Sequence, residues 1–438
     1  MALEDDELNK RREERRQEQR FLAKQQKWLK IGLIVTAATM ILCAAALLIT
    51  QGLVRLPDSG DPDLESTTPV TTVPPTTTEP APTEPDTVIH FVAGGDLNIT
   101  DKTVASGTAV SGYDYTEVFM DVVPVLAGAD LTALNFEGGT FGTPYGTERR
   151  SAPQQMLQAL RNAGVDLIQS ANSQSIADGI RGLKDTLQSI RAAGMEPVGS
   201  YADPEEFQKS GGYILREING IRVAIVAFTK GMDGMGLPAG SEDCVNLLYT
   251  DYSSTYQKVD TEGIKAVLQA AEKSNPDITI ALLHWGSEFN NQISTTQEKI
   301  TKLMLEQGVD AIIGTHSHYV QKAVFDPAAG TLVAYSLGDF FGDADKAGTD
   351  YSVLLDLEIT KSGVTGETTI TGFDYTPIYT VDETATGGGM RILRIREAMD
   401  AYENSCLGRV SEEVYNAMST ALTKIDSRME QEQEQETE

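Results

Sequence analysis

The stretch Ile278–Phe341 constrains the fold more than any other part of the chain. It reads ITIALLHWGSEF, then TKLMLEQGVDAIIGTHSHYVQ, then TLVAYSLGDFF. Each apolar, β-branched run stops at small residues, as a buried strand does at its end, and His284, His316 and His318, three of the four histidines, stand at such stops. In an open sheet layered with helices, side chains at strand ends converge on one crevice. Imidazole is the commonest metal-ligating side chain, and His-x-His on extended backbone aims both rings to the same side. The stretch reads as half of a metal site whose other half lies earlier in the chain.

From residue 88 onward short apolar runs alternate with helical periods, which means α/β architecture. VIHFVAGGDLNIT predicts a buried strand over Val88–Ala93, ended by Gly94-Gly95 and followed by Asp96 at the mouth of a crevice. LTALNFEGGT predicts a second strand with Asn135 and Glu137 at its end. Helices are expected over 118–126, 152–163 and around 261–273, and DGIRGLKDTLQSIRAAGM is amphipathic, with Ile180, Leu183, Leu187 and Ile190 on one face. VDLIQSAN and IRVAIVAF read as further strands. Gly94-Gly95 and Gly138-Gly139 are too short for phosphate loops and indicate close backbone approach. Met232 and Met235, among Gly231, Gly234 and Gly236, leave open a mobile loop over the crevice or plain core packing. After Phe341, YSVLLDLEIT and TGETTITGFDYTPIYTV are expected to complete the second sheet, and 390–429 to be helical with Leu393, Ile395, Met399 and Tyr402 facing in.

The N-terminal part has a different character. Residues 1–30 are charged and polar, with Arg20, Lys24, Lys27 and Lys30 close upstream of an apolar run, Ile31–Val54, free of charged side chains. At about 1.5 Å per residue that run spans a hydrocarbon core of roughly 30 Å. Its length, and an exit through Gln51, Gly52 and Arg55, fit an uncleaved signal-anchor rather than a signal peptide. The basic flank sets residues 1–30 in the cytoplasm and the C-terminal part outside a cell membrane. Residues 55–87 are a Pro/Thr-rich stalk whose composition predicts disorder, 88–385 the main domain, 386–429 a C-terminal helical segment and 430–438 an acidic, disordered tail. A formal net charge of −29 argues against nucleic acid as a partner. Cys244 and Cys406 stand in contexts that give a disulfide no geometric support.

The succession GGD, NFEG, SANSQSIADGIRGLKDTLQSIRAAGM, HWGSEF, Gln297, GVDAIIGTHSHYVQ and YSLGDFF resembles the CapA family of capsule synthesis proteins over residues 88–345. That family is associated with poly-γ-glutamate and belongs to the calcineurin-like metallophosphoesterase superfamily. The resemblance implies a metallophosphoesterase-like four-layer sandwich, two β-sheets flanked by helices, with a metal site at the strand ends. It makes Asp96, Asn135, Glu137, His284, His316 and His318 metal ligands for one or two divalent ions, with Mn, Fe and Zn equally suited. Carboxylates neutralise such ions and imidazoles hold them in place. Taken singly, Asp96 also reads as a helix cap and His284 as a core histidine.

The chain departs from the family pattern where the family reads Ala-Asn-Asn-His. Here Ala171-Asn172 is followed by Ser173 and Gln174. A neutral hydroxyl is a poor metal ligand, and an amide cannot transfer the proton that the family's histidine supplies. The family's Gly-Asn-Phe is Gly338-Asp339-Phe340, where Asp339 reads first as turning the chain and second as a compensating ligand. Three readings follow. One is an active metal-dependent hydrolase of a phosphoester or a γ-glutamyl polymer at the envelope. The second, favoured by the lost proton donor, is a catalytically degenerate component of capsule or exopolymer biosynthesis or export that binds an acidic exopolymer and works with other capsule-synthesis membrane proteins. The third is a structural ectodomain.

Overall fold

The computed structural model describes residues 85–384, 389–404 and 410–429. In the first half of the described chain the strands are β1 (Thr87–Asn98), β2 (Leu131–Glu137), β3 (Leu167–Gln169), β4 (Glu196–Val198), β5 (Tyr213–Ile218), β6 (Ile221–Thr229) and β7 (Ile278–His284). Then come β8 (Ala311–Thr315), β9 (Ala323–Asp326), β10 (Thr331–Ala334), β11 (Asp339–Phe341), β12 (Tyr351–Lys361), β13 (Thr368–Asp382) and β14 (Met390–Arg394). They form two sheets. One has the order β14-β13-β12-β1-β2-β3-β4, with β11 also paired to β1, and the other β5-β6-β7-β8-β10-β9.

The packing explains the continuous apolar runs. Phe91, Ala93, Ala133, Leu167, Val353 and Leu355 of the first sheet share one core with Val223, Ile225, Ile280, Leu282 and Ile313 of the second. The opposite face of the first sheet, with Val92, Leu134, Phe136 and Ile168, packs on Phe119, Leu126, Met156, Leu157 and Leu160 from the helical segments 116–126 and Gln154–Ala163. The opposite face of the second sheet is covered by Ile264, Leu268, Ile300 and Met304 from helices Thr261–Glu272 and Thr295–Glu306. Central strands covered on both faces are buried along their whole length and mostly apolar, as β7 is, with Thr279 and the terminal His284 its polar members. Helix Gly179–Ala192 buries Leu183, Leu187 and Ile190 and leaves Ile180 at the edge; each full burial contributes about 2 kcal/mol.

Local signals set the element ends. Ser294 and Gln297 close a capping box at the start of helix Thr295–Glu306, which satisfies backbone donors left free in the first turn. The hairpin between β5 and β6 turns on Asn219-Gly220, both at positive φ (51° and 78°), the conformation that Asn-Gly supplies. Sequence reasoning left β5 unassigned although this dipeptide marks it.

Three expectations need correction, and one open alternative is decided. Strand β1 does not stop at Ala93 but runs through Gly94-Gly95 to Asn98, with an irregularity against β2 between Ala93 and Asp96. A Cβ on Gly95 would lie 1.8 Å from the Gly338 carbonyl oxygen, so the glycines admit the neighbouring backbone rather than end the strand. Strands β12 and β13 join the first sheet, antiparallel to β1 and to each other in turn, instead of completing the second. Met390–Arg394 is not helical; it pairs with β13, and helix begins at Ile395. The apolar positions 390, 392 and 393 bury against the first sheet's cores, where strand pairing wins over helical period. Met232 is fully buried beside Ile176, Leu183 and Leu187, which decides for core packing at that position.

The described residues fall in one compact unit, Pro80–Glu438. Among them no helix is long and apolar enough to cross a membrane. The expected cytoplasmic segment, anchor 31–54, most of the stalk, Cys406 and the acidic tail lie outside the described residues. Cys244 is buried and carries no disulfide.

Candidate metal centre

Parallel pairing brings the polar residues together. Along β1 and β2, Asp96 lies opposite Asn135 and Asn98 opposite Glu137; along β6, β7 and β8, Thr229 lies opposite His284 and His284 opposite Thr315. These positions are the C-terminal ends of strands in both sheets, where an α/β fold gathers its ligands. His316 and His318 follow β8 on a turn, both at positive φ (87° and 59°), rather than on the extended backbone that the sequence suggests. Such conformations cost on the order of 1 kcal/mol or more for a side chain with a Cβ and collect at functional sites. The His316 N–H donates to Asp96 Oδ2 at 2.8 Å, which holds the turn against β1.

All six expected ligands converge and are buried. Asn135 Nδ2 donates to Asp96 Oδ1 at 2.5 Å and lies 3.3 Å from His284 Nδ1. His284 Nε2 is 3.5 Å from Glu137 Oε1, and the rings of His284 and His316 are 4.5 Å apart. Two ligand sets emerge, Glu137 with His284 and His316, and Asp96 with Glu137 and His318, each with its ligand atoms within 4.8 Å of one another. Glu137 is common to both.

Three residues at the centre escaped sequence reasoning or were read otherwise. Asp339 does not turn the chain: it opens β11, pairs with Asp96 across the strands, and sets Oδ1 2.7 Å from His318 Nδ1. Lys230, the residue after β6, places Nζ 3.1 Å from His316 Nε2 and donates to the Gly286 carbonyl at 3.0 Å. Its signal was its place at a strand end level with His284. Thr315 Oγ1 lies 3.0 Å from His284 Nδ1.

Electrostatics bind the cluster into one unit. Burial pushes His284 down, but the Glu137 and Asp96 carboxylates more than offset it and hold it up at about 9. Burial likewise opposes His318, and Asp339, Glu137 and Asp96 raise it to about 10. For His316 burial prevails, helped by His284 and Lys230, and holds it well below the usual imidazole value. Burial works to raise Glu137, yet the three imidazoles pull it well below the usual carboxylate range. Asp339 is raised to about 6 by burial, against the pull of His318. Burial lowers Lys230 from the usual lysine value, with Glu288, Asp233 and Glu137 opposing.

Residues 90–344, more than half of the chain, match the family described as bacterial capsule synthesis protein PGA_cap. The chain belongs to this family. It is 27% identical over 261 residues to the capsule biosynthesis protein CapA of Bacillus anthracis, an overlap of 58% of this chain and 59% of that one. It is also 27% identical over 289 residues to the PGA biosynthesis protein CapA of Bacillus subtilis, covering 65% of this chain and 70% of the relative. The chain thus spans less than two thirds of the Bacillus anthracis protein. Among solved structures, the calcineurin-like phosphoesterase YfkN of Bacillus subtilis overlaps with a TM-score of 0.41 at 16% identity, over 78% of this chain and 98% of that one. That overlap is loose, and the two-sheet architecture stands on the strand pairing itself.

Within this PGA_cap member the residues that depart from the expected motif take clear positions. Ser173 gives its hydroxyl to Glu137 Oε1 and lies 3.2 Å from His284 Nε2, inside the cluster. Asn172 donates to Asn135 Oδ1 and to the Phe136 carbonyl. Gln174 donates its amide to Asp233 Oδ2 at 2.7 Å. Gln297 reaches toward Gln321, and Gln321 donates to the Asn290 carbonyl, so both support the loop after β7.

The donor set fits a divalent ion. Glu137 Oε2 and His316 Nδ1 are buried with no hydrogen-bond partner. An orphaned carboxylate oxygen in a dry site demands a cation or a donor. Carboxylates and imidazoles at this density suit Mn, Fe or Zn alike.

Proposed function

We propose that this PGA_cap member serves capsule or exopolymer biosynthesis at the cell envelope, and that its centre binds an anionic group of a poly-γ-glutamate-type polymer without turning it over. The family membership and the names of its Bacillus relatives support the process. The apolar run 31–54 supports a single-pass anchor with the described domain outside the cell membrane. Asp96, Glu137, His284, His316 and His318, with Asn135 beside them, would hold the metal, and Asp339 would orient His318. A bound divalent ion supplies a positive centre for a carboxylate or phosphate oxygen, which a chain of net charge −29 needs before it can accept a polyanion.

The binding reading is carried by Gln174. Its amide is spent on Asp233 where the resembling family carries a proton-transferring histidine, and an amide moves no proton at ordinary pH. The test is sedimentation of the chain with poly-γ-glutamate, with and without divalent metal, alongside assays of polymer and phosphodiester cleavage. Metal-dependent binding without cleavage is expected; cleavage abolished by His318→Ala would overturn the reading. The assembled cluster favours a metallophosphoesterase-like hydrolase as the second reading, because two buried carboxylate-imidazole sets are in place although Ser173 and Gln174 stand where the resembling family has Asn and His.

A further inference from the structure

The loop that follows β7 brings a large apolar side chain to the rim of the centre at a backbone cost. Phe289 is 39% exposed and sits at φ 52°, in the left-handed region that a bulky residue rarely adopts. Two hydrogen bonds pin the loop there. The Phe289 N–H donates to the Ser317 carbonyl at 2.9 Å, and Gln321 Nε2 donates to the next carbonyl, that of Asn290, at 2.8 Å. The Phe289 ring stacks on His318, with centroids 4.9 Å apart and planes 24° from parallel, and meets Tyr319 edge-on at 6.4 Å. The ammonium of Lys346, from the loop after β11, lies 3.0 Å from the centroid of the same ring. Such a contact uses one side of an ammonium and leaves other N–H donors free.

We infer that Phe289 and Lys346 form a second subsite, for the polymer residue beside the one bound at the centre, with its carboxylate on the Lys346 ammonium and its apolar stem on the Phe289 ring. The inference rests on the proposed reading of the centre as the binding place of a poly-γ-glutamate-type chain. A γ-linked glutamate residue offers both groups at once, a free carboxylate and a short run of methylenes within the chain itself. His318 and Lys346 share one ring, so a single chain segment can reach both. Lys346 makes no salt bridge among the described residues, whereas the acids just before it are engaged, Asp345 by Lys102 and Asp343 by the Thr100 hydroxyl. Glu288, beside Phe289, is the exposed acid that opposes an anion here, and Lys230 is near enough to attract it. On a chain of net charge −29, an unspent cation against an exposed aromatic ring gives a polyanion with apolar stems both attractions in one place.

The test is calorimetric titration of the full chain, in detergent and loaded with Mn²⁺, with poly-γ-glutamate oligomers and with polyphosphate, beside elemental analysis. Lys346→Gln and Phe289→Ala are each expected to weaken oligomer binding about 5- to 10-fold while the manganese content stays that of wild type. Phe289→Ala is expected to leave the affinity for polyphosphate unchanged, since that polyanion has no apolar stem to lay on the ring. Variants that bind the oligomer as wild type does, or a Phe289→Ala loss shared by polyphosphate, overturn the subsite while the proposed function stands. Manganese lost from either variant also overturns it, because the two residues then act through His318. A wild-type chain that binds no oligomer overturns the proposed function and the subsite together.

Discussion

Gln174 and Asp233 are joined by a 2.7 Å hydrogen bond from the side-chain amide to the carboxylate. The bond ties the residue after Ser173 to the loop that follows β6, and it engages the position where the resembling family carries its histidine. Gln174→His therefore restores a group able to move a proton. Hydrolysis of a phosphodiester by the metal-loaded protein is expected to rise by about 100-fold or more, the lower end of what a positioned acid contributes. A steady-state assay at neutral pH checks it, and rates equal to wild type would show that the missing donor is not what silences the site.

The raised imidazoles set a pH dependence for the metal-free protein. His284 and His318 are held at about 9 and about 10 in the folded chain, against 6.5 when unperturbed. A folded-state value above the unfolded one contributes stability that is full below pH 6.5 and is lost as pH rises through the folded value. For His284 this is on the order of 3 kcal/mol. Thermal unfolding after chelation should show Tm falling between pH 6.5 and 9, and saturating metal should remove the fall because the ion replaces the protons.

Asp339→Asn removes the carboxylate that His318 faces. Metal affinity is expected to drop roughly 10- to 100-fold, as when other supporting partners of ligating histidines are lost. Isothermal titration with Mn²⁺ or Zn²⁺ measures it. An unchanged affinity would return Asp339 to a purely structural role.

Gly95→Ala would place a methyl group 1.8 Å from the Gly338 carbonyl oxygen, where the backbone leading into β11 leaves it no room. A loss of about 3 kcal/mol is expected, with weakened metal binding because Asp96 is next in line. Gly236→Ala, with nothing within 4 Å of its Cβ, should leave Tm and metal content unchanged.

The buried His/Asp/Glu cluster was legible because its members share one signal, a polar side chain where an apolar run ends. Asp96, Glu137 and His284 could be read this way since parallel strands align such ends. Asp339 and Lys230 carry the same signal more faintly. β11 is only three residues long, and Lys230 borders a loop whose glycines and methionines suggested mobility. Sheet membership was not legible. Alternation shows that β12 and β13 are strands, but the choice between two sheets depends on β1 offering a free edge, a relation no local pattern contains. The strand at Met390–Arg394 was hidden because its apolar positions also fit a helical period, and only pairing with β13 decides between them.

That the buried carboxylates and imidazoles hold a divalent ion is tested most directly by elemental analysis of the full chain purified without chelator, beside Asp96→Asn and His318→Ala. At least one equivalent of a transition metal in wild type, lost in both variants while the fold persists, is the predicted result. Wild-type protein that carries no metal, even after reconstitution with Mn²⁺, Fe²⁺ and Zn²⁺, would contradict it.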